Sequence, residues 1–170
     1  MRYHNITKAD MNNGDGLRVV LWLAGCNHCC KGCQNPVTWD PDGGLLFDEA
    51  AKKEIFDELD KDYISGITFS GGDPLHPQNR VDVRNFIHEI KEKYPDKTIW
   101  LYTGESWENI SHYPLLKDVD VLVDGEFILE KRDTTLMWKG SSNQRVIDVK
   151  KTLNTTDISV PILHCKDYYK

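Results

Sequence analysis

Apolar positions fall along this chain in short continuous runs that alternate with helical spacings. Residues 17–24, LRVVLWLA, form an apolar run rich in Val and Leu and predict a buried strand. In 48–60, DEAAKKEIFDELD, Ala51, Ile55 and Leu59 recur at i, i+4, i+8 beside Phe56. This predicts an amphipathic helix with Asp48 as its N-cap. A second strand is predicted at 64–70. A second helix over 80–93, with Val83, Phe86, Ile87 and Ile90 on one face, stops before Pro95. Strands follow at 98–103 (TIWLYT) and 119–124 (VDVLVD), with a short helix capped by Ser106 over 106–111 between them. The run RVIDV at 145–149 adds a further strand, and beyond Lys150 no periodicity is visible.

Alternating strands and helices predict parallel pairing through right-handed crossovers, an α/β layered fold. In that arrangement four unusual stretches fall at the carboxyl ends of strands. They are the cysteine loop from Cys26, Ser70-Gly71-Gly72-Asp73-Pro74, Thr103-Gly104-Glu105 and Asp124-Gly125. Ligands bind at that edge in open α/β sheets and barrels, so a site is expected there.

The chain has 170 residues, the size of one domain, with 39% hydrophobic and 28% charged positions, which excludes a disordered tail. No apolar run nears the ~18 residues of a membrane span. The opening residues MRYH lack the apolar core of a secretory signal, and the expected location is the cytoplasm. A net charge of -6 argues against broad binding to nucleic acid, which needs a basic surface.

Four of the five cysteines lie between Cys26 and Cys33. A disulfide framework spreads its cysteines along the chain, whereas this cluster reads as a ligand loop in a reducing compartment. The spacing Cys26-x3-Cys30-x2-Cys33 can wrap a compact iron–sulfur cluster from one side. Three thiolates would leave one iron of a four-iron cluster open to a substrate or cofactor. Two alternatives stand beside it. Four thiolates on zinc would require the adjacent Cys29 and Cys30 to converge, and structural zinc sites separate their pairs by about a dozen residues. A redox pair Cys30-x-x-Cys33 would leave Cys26 without a role. Gly71-Gly72-Asp73-Pro74 is a turn whose glycines can take positive φ and bring backbone close to a ligand. Its carbonyls and the Asp73 carboxylate suit an ammonium group, and no Lys-Ser/Thr follows to make it a phosphate loop. Gly14-Asp15-Gly16 reads as an entry turn, and the polar run 141–145, SSNQR, as a solvated loop. His28 is expected to pack or to bond to backbone, and Trp39 to shield the cluster loop.

The cysteine spacing is similar to the cluster motif of radical S-adenosylmethionine enzymes, and Gly71-Gly72-Asp73-Pro74 resembles their glycine-rich motif. More narrowly, four stretches resemble the activating proteins of anaerobic (class III) ribonucleoside-triphosphate reductase. These are GCNHCCKGCQNPVTW at 25–39, GITFSGGDPLHPQNR at 66–80, DVLVDGEF at 120–127 and WKGSSNQRVID at 138–148. The resemblance implies a single domain over 1–150, a partial open (β/α) barrel with mostly parallel strands. The tail 151–170 is left without a role.

It also implies that Cys26, Cys30 and Cys33 each hold one iron of a 4Fe-4S cluster, with S-adenosylmethionine on the fourth. Gly71, Gly72 and Asp73 would receive the cofactor's amino group, while Gly32, Cys33 and Gln34 would lie beside it. The implied activity is reductive cleavage of the cofactor and transfer of the radical to a glycine of the reductase. A flavodoxin-like protein would donate the electron. Gln34 stands where a Tyr is common, Lys139 where an Arg often precedes Gly-Ser-Ser, and Asp15 within what is usually Gly-Pro-Gly. Cys29 has no role in the pattern. The alternatives are a radical reaction on another substrate and, outside enzymes, a zinc-binding interaction module.

Overall fold

The computed structural model describes residues 1–164. The part of the C-terminal tail from 165 on lies outside the described residues. Seven strands form one sheet: β1 (Arg2–Asp10), β2 (Leu17–Leu23), β3 (Leu45–Leu46), β4 (Ile64–Gly71), β5 (Thr98–Tyr102), β6 (Val121–Asp124) and β7 (Arg145–Asp148). Their order is β3-β1-β2-β4-β5-β6-β7. The helices are α1 (Glu49–Leu59), α2 (Arg80–Lys93), α3 (Trp107–Ile110) and α4 (Val149–Leu153).

The predicted alternation holds in the middle of the sheet, where β2, β4, β5 and β6 are neighbours and parallel. The edges depart from it. β1 pairs antiparallel with β2, because residues 11–16 are too few for a crossover, and β7 pairs antiparallel with β6. β7 follows a connection, 125–144, that holds only a three-residue 3-10 turn and so lays no helix on the sheet face. The fold is therefore a mixed α/β sheet with a parallel centre.

Alternation along the strands divides the two faces. Val19, Leu21 and Leu23 join Ile67 and Phe69 against Ile55 and Leu59 of α1, the apolar face of α2 and Trp107 and Ile110 of α3. The opposite face carries Trp100, Val121, Val123 and Val146, with Tyr102 and Trp138 packed on them. Arg18 is also fully buried. Its guanidinium donates to the Thr68 and Thr98 hydroxyls and to the carbonyls of Asp15, Ile67 and Thr98, and among the described residues no carboxylate pairs with it. Burial lowers its pKa to about 10, so the cation persists at neutral pH.

Asp48 caps α1 as expected, its Oδ1 accepting from the Ala51 N–H at 2.9 Å. Ser106 stands at the N-cap position of α3 but makes no side-chain capping bond. Beyond α4 the chain returns along β7. The Asp148 N–H donates to the Ile162 carbonyl, the His164 N–H donates to that of Val146, and Leu163 bridges Ile147. Among the described residues no helix is long and apolar enough to cross a membrane.

Candidate functional site

Because the four central strands run parallel, the loops that follow them meet at one edge of the sheet. The cysteine loop is stapled there through its backbone. The Gly25 N–H donates to the Thr38 carbonyl at 2.8 Å and the Cys26 N–H to that of Trp39 at 3.1 Å. The Asp73 N–H donates to Gly25 O at 2.7 Å, so the cysteine loop and the glycine turn share a bond. Asn79, at the N-cap of α2, donates from Nδ2 to the carbonyls of Ala24 and Asp73. The Cys33 N–H closes a turn on Cys30 O, and the Asn35 N–H points at Cys33 Sγ at 3.4 Å.

Cys26, Cys30 and Cys33 are half-buried, whereas Cys29 is exposed. Cys29 has a φ of 46°, a left-handed conformation uncommon outside glycine, and its thiol donates to the Cys26 carbonyl at 3.7 Å. Burial pushes the Cys26 and Cys30 thiols up from their ordinary values. The three half-buried cysteines line a cavity of about 440 Å³ together with Gln34, Gly71, Gly72 and Asp73. Gly32 is not on that wall: its φ is 74°, and a Cβ there would come to 2.9 Å from Leu129. The two turn glycines are imposed by backbone proximity. A Cβ on Gly71 would fall 2.6 Å from the Leu23 nitrogen, and one on Gly72 2.5 Å from the Gly25 oxygen.

Asp73 is 4% exposed. Its carboxylate accepts from the Leu75 N–H, the Thr103 hydroxyl, the Gly104 N–H and His28 Nε2, at 2.8 to 3.2 Å. His28 Nδ1 reaches Glu126 Oε1 at 3.0 Å. The bond to Asp73 raises the His28 pKa to about 9, so both ring nitrogens donate at neutral pH. A larger cavity, about 640 Å³, lies on the other side of His28 and is lined by His76, Glu105 and Asn109 among others. Among the described residues no thiol lines it, so the smaller cavity is the one equipped for metal chemistry.

Relatives of the chain decide its family. Residues 12–147 match a family model described as a 4Fe-4S single cluster domain. The chain is 46% identical over 147 residues to the anaerobic ribonucleoside-triphosphate reductase-activating protein of Enterobacteria phage T4, covering 86% of this chain and 93% of that one. It is 40% identical over 148 residues to the protein of that name from Haemophilus influenzae, covering 85% and 96%. With the protein of that name from Escherichia coli K12 it is 40% identical over 150 residues, covering 86% and 97%. The chain belongs to the anaerobic ribonucleoside-triphosphate reductase-activating protein family.

In this family member the structure brings Cys26, Cys30, Cys33, Gln34, Gly71, Gly72 and Asp73 to one cavity. Pattern reading missed much of the rest of the wall: Asn12, Asn13, Trp22, Tyr102 and Trp138. Trp22 and Tyr102 lie at the ends of strands on the face away from the helices, a position that alternation alone could have flagged. The run 141–145, expected as a solvated loop, is instead a brace. Ser141 is fully buried, and Gln144 accepts from the Gly140 and Ser141 N–H groups while donating to Gly125 O. This holds Gly140 and the neighbouring Lys139 against the cavity. His28 bonds to two carboxylates rather than to backbone. Trp39 lies outside the cavity wall, and its buried indole nitrogen has no partner among the described residues.

Proposed function

We propose that this chain activates an anaerobic ribonucleoside-triphosphate reductase by placing a glycyl radical on it, with a 4Fe-4S cluster and S-adenosylmethionine as cofactors. The observation that carries this is one cavity lined by the three thiols of a single short loop and by the glycine turn of the neighbouring strand. The donor set fits the cluster. Thiolates suit iron–sulfur groups, and each iron of a cubane takes one, so the sulfurs must be spread. Among the described residues no three His, Cys, Asp or Glu side chains converge as a single metal ion requires. A volume of about 440 Å³ also lies in the range of sites for cofactor-sized molecules.

When bound, the cluster and S-adenosylmethionine would supply reductive one-electron chemistry directed at a glycine of the reductase. The chain's own residues hold and orient. Cys26, Cys30 and Cys33 would each hold one iron, and Cys29 would stay outside. The backbone of the Gly71–Gly72 turn meets the cofactor's amino group. Gln34 flanks the cofactor, and Lys139, on the same wall, offers an ammonium to its carboxylate. Gly32 acts at one remove, through the turn it makes against Leu129. Trp22, Tyr102 and Trp138 supply apolar surface that limits water around a reactive species. The four parallel strands form part of an open (β/α) barrel whose mouth admits a protein segment, within a domain over 1–150. A flavodoxin-like protein serves as electron donor in the cytoplasm.

The test is anaerobic reconstitution with iron and sulfide, reduction, and electron paramagnetic resonance with and without S-adenosylmethionine, alongside an assay for 5′-deoxyadenosine. The expected result is a reduced-cluster signal altered by the cofactor, with cleavage product formed. No signal in either condition, with tightly bound zinc by metal analysis, overturns the proposal in favour of a zinc-stapled binding module.

A further inference from the structure

Between Cys26 and Cys30 the loop carries Asn27 and His28, and both of these side chains are spent on tying it down. Asn27 Oδ1 meets His76 Nε2 at 3.1 Å. His28 spans Asp73 Oδ2 at 2.8 Å and Glu126 Oε1 at 3.0 Å. Its ring lies so close over Gly104 that a Cβ there would come to 2.4 Å from His28 Cδ2. One imidazole thus touches the segments following β4, β5 and β6 while belonging to the loop that follows β2.

Asp73 shows the same commitment from the other side. A carboxylate offers about four lone-pair positions. Those of Asp73 meet the Leu75 N–H, the Thr103 hydroxyl, the Gly104 N–H and His28 Nε2. No acceptor position is left for an incoming ammonium group. We propose that His28 and Asp73 form a latch that sets the cysteine loop over the glycine turn. Asp73 then acts on S-adenosylmethionine through His28 instead of taking its amino group. Both are positioning residues, and the part that concerns the cofactor rests on the function proposed above.

Two measurements test this on the full chain. Hydrogen exchange by mass spectrometry reads the latch without any cofactor. His28→Phe removes both donors and should speed exchange across residues 25–33 by about 10- to 100-fold, the scale of one charge-assisted hydrogen bond, with β4 and β5 unchanged. His28→Gln, which keeps an N–H donor, should recover part of the protection. Unchanged exchange in His28→Phe overturns the latch. The second measurement is calorimetric binding of S-adenosylmethionine to anaerobically reconstituted protein in a cycle of His28→Phe, Asp73→Asn and the double variant.

If Asp73 works through His28, Asp73→Asn weakens binding in the parent and adds little in the His28→Phe background. Losses that multiply would mean that Asp73 contacts the cofactor itself, and would overturn the positioning role. If the parent binds no S-adenosylmethionine, the proposed function fails and the exchange data alone decide the latch. Should His28→Phe not fold, Gly104→Ala takes its place in both measurements, since its methyl group displaces the ring. Protection unchanged in that variant would count against the latch.

Discussion

Replacing Arg145 with Gln should lower the melting temperature more than any other single change on the polar surface around β6. Asp124, the last residue of β6, is 1% exposed. Its carboxylate accepts from the Trp107 N–H at 2.8 Å and from Arg145 Nε and Nη2. The same guanidinium reaches both oxygens of Glu108 at 2.9 Å. Without the arginine, Asp124 keeps one backbone donor and loses its counter-charge in a site closed to water. Removing one partner of a buried pair costs about 3–5 kcal/mol. The Arg145 side chain is 32% exposed, which points to the lower end, about 3 kcal/mol.

For a chain of this size each kcal/mol moves the melting temperature by about 2–4 °C, so Arg145→Gln should lose roughly 6–12 °C. The assay is thermal unfolding by circular dichroism, with variants compared at the same cluster occupancy. Glu108→Gln serves as control. The Glu108 side chain is 52% exposed, so its pair is worth at most about 1 kcal/mol and its loss should shift the midpoint by only a few degrees. Asp124→Asn placed on Arg145→Gln should recover part of the loss, because a neutral amide needs no counter-charge. A midpoint for Arg145→Gln within about 2 °C of the parent would refute the reasoning.

Three further outcomes are expected. Cys29→Ser should retain the iron and sulfide of the reconstituted protein while Cys30→Ser loses them, and equal loss by colorimetric iron analysis would speak for a four-thiolate site. Gly71→Ala should destabilise far more than Gly125→Ala. Both have positive φ, 98° and 94°, which costs about 1–2 kcal/mol, but only at Gly71 does a Cβ meet backbone, at 2.6 Å, against 3.8 Å at Gly125. Equal shifts in melting temperature would contradict the packing argument. The hydrogen bond from Arg145 holds the Glu108 carboxyl down at about 2, below its ordinary 4.5. Its stabilising contribution is therefore present above pH 4.5 and lost as pH falls through 2, and Arg145→Gln should flatten that part of an acid titration followed by fluorescence.

The centre of the fold was legible in the chain because β2, β5 and β6 carry apolar runs and β4 keeps Ile64, Ile67 and Phe69 buried, with the periodic helices α1 and α2 between β2, β4 and β5. β1 was not. Its sequence RYHNITKAD contains no fully buried residue, so it lacks the pattern that announces a strand. What places it is pairing with β2 across a connection too short to cross over. The cysteine and glycine motifs were legible because their chemistry depends on spacing within one loop. The brace made by Ser141 and Gln144 and the contacts of His28 were not. A polar residue that spends its hydrogen bonds inside the protein looks, in sequence, the same as one that spends them on water. His28 is the sharper case, since its partners Asp73 and Glu126 are 45 and 98 residues away.

The return of residues 162–164 along β7 bears on how the protein can be handled. An open sheet has two borders, each a row of amide and carbonyl groups ready to recruit another strand. On one side the border is β3, only two residues long, which offers little to copy. On the other, the chain covers part of its own border through bonds at Val146 and Asp148. A shortened form ending after residue 150 would keep the cavity walls but uncover that border. It should then associate with itself at concentrations where the full chain stays monodisperse, and light scattering would detect the difference.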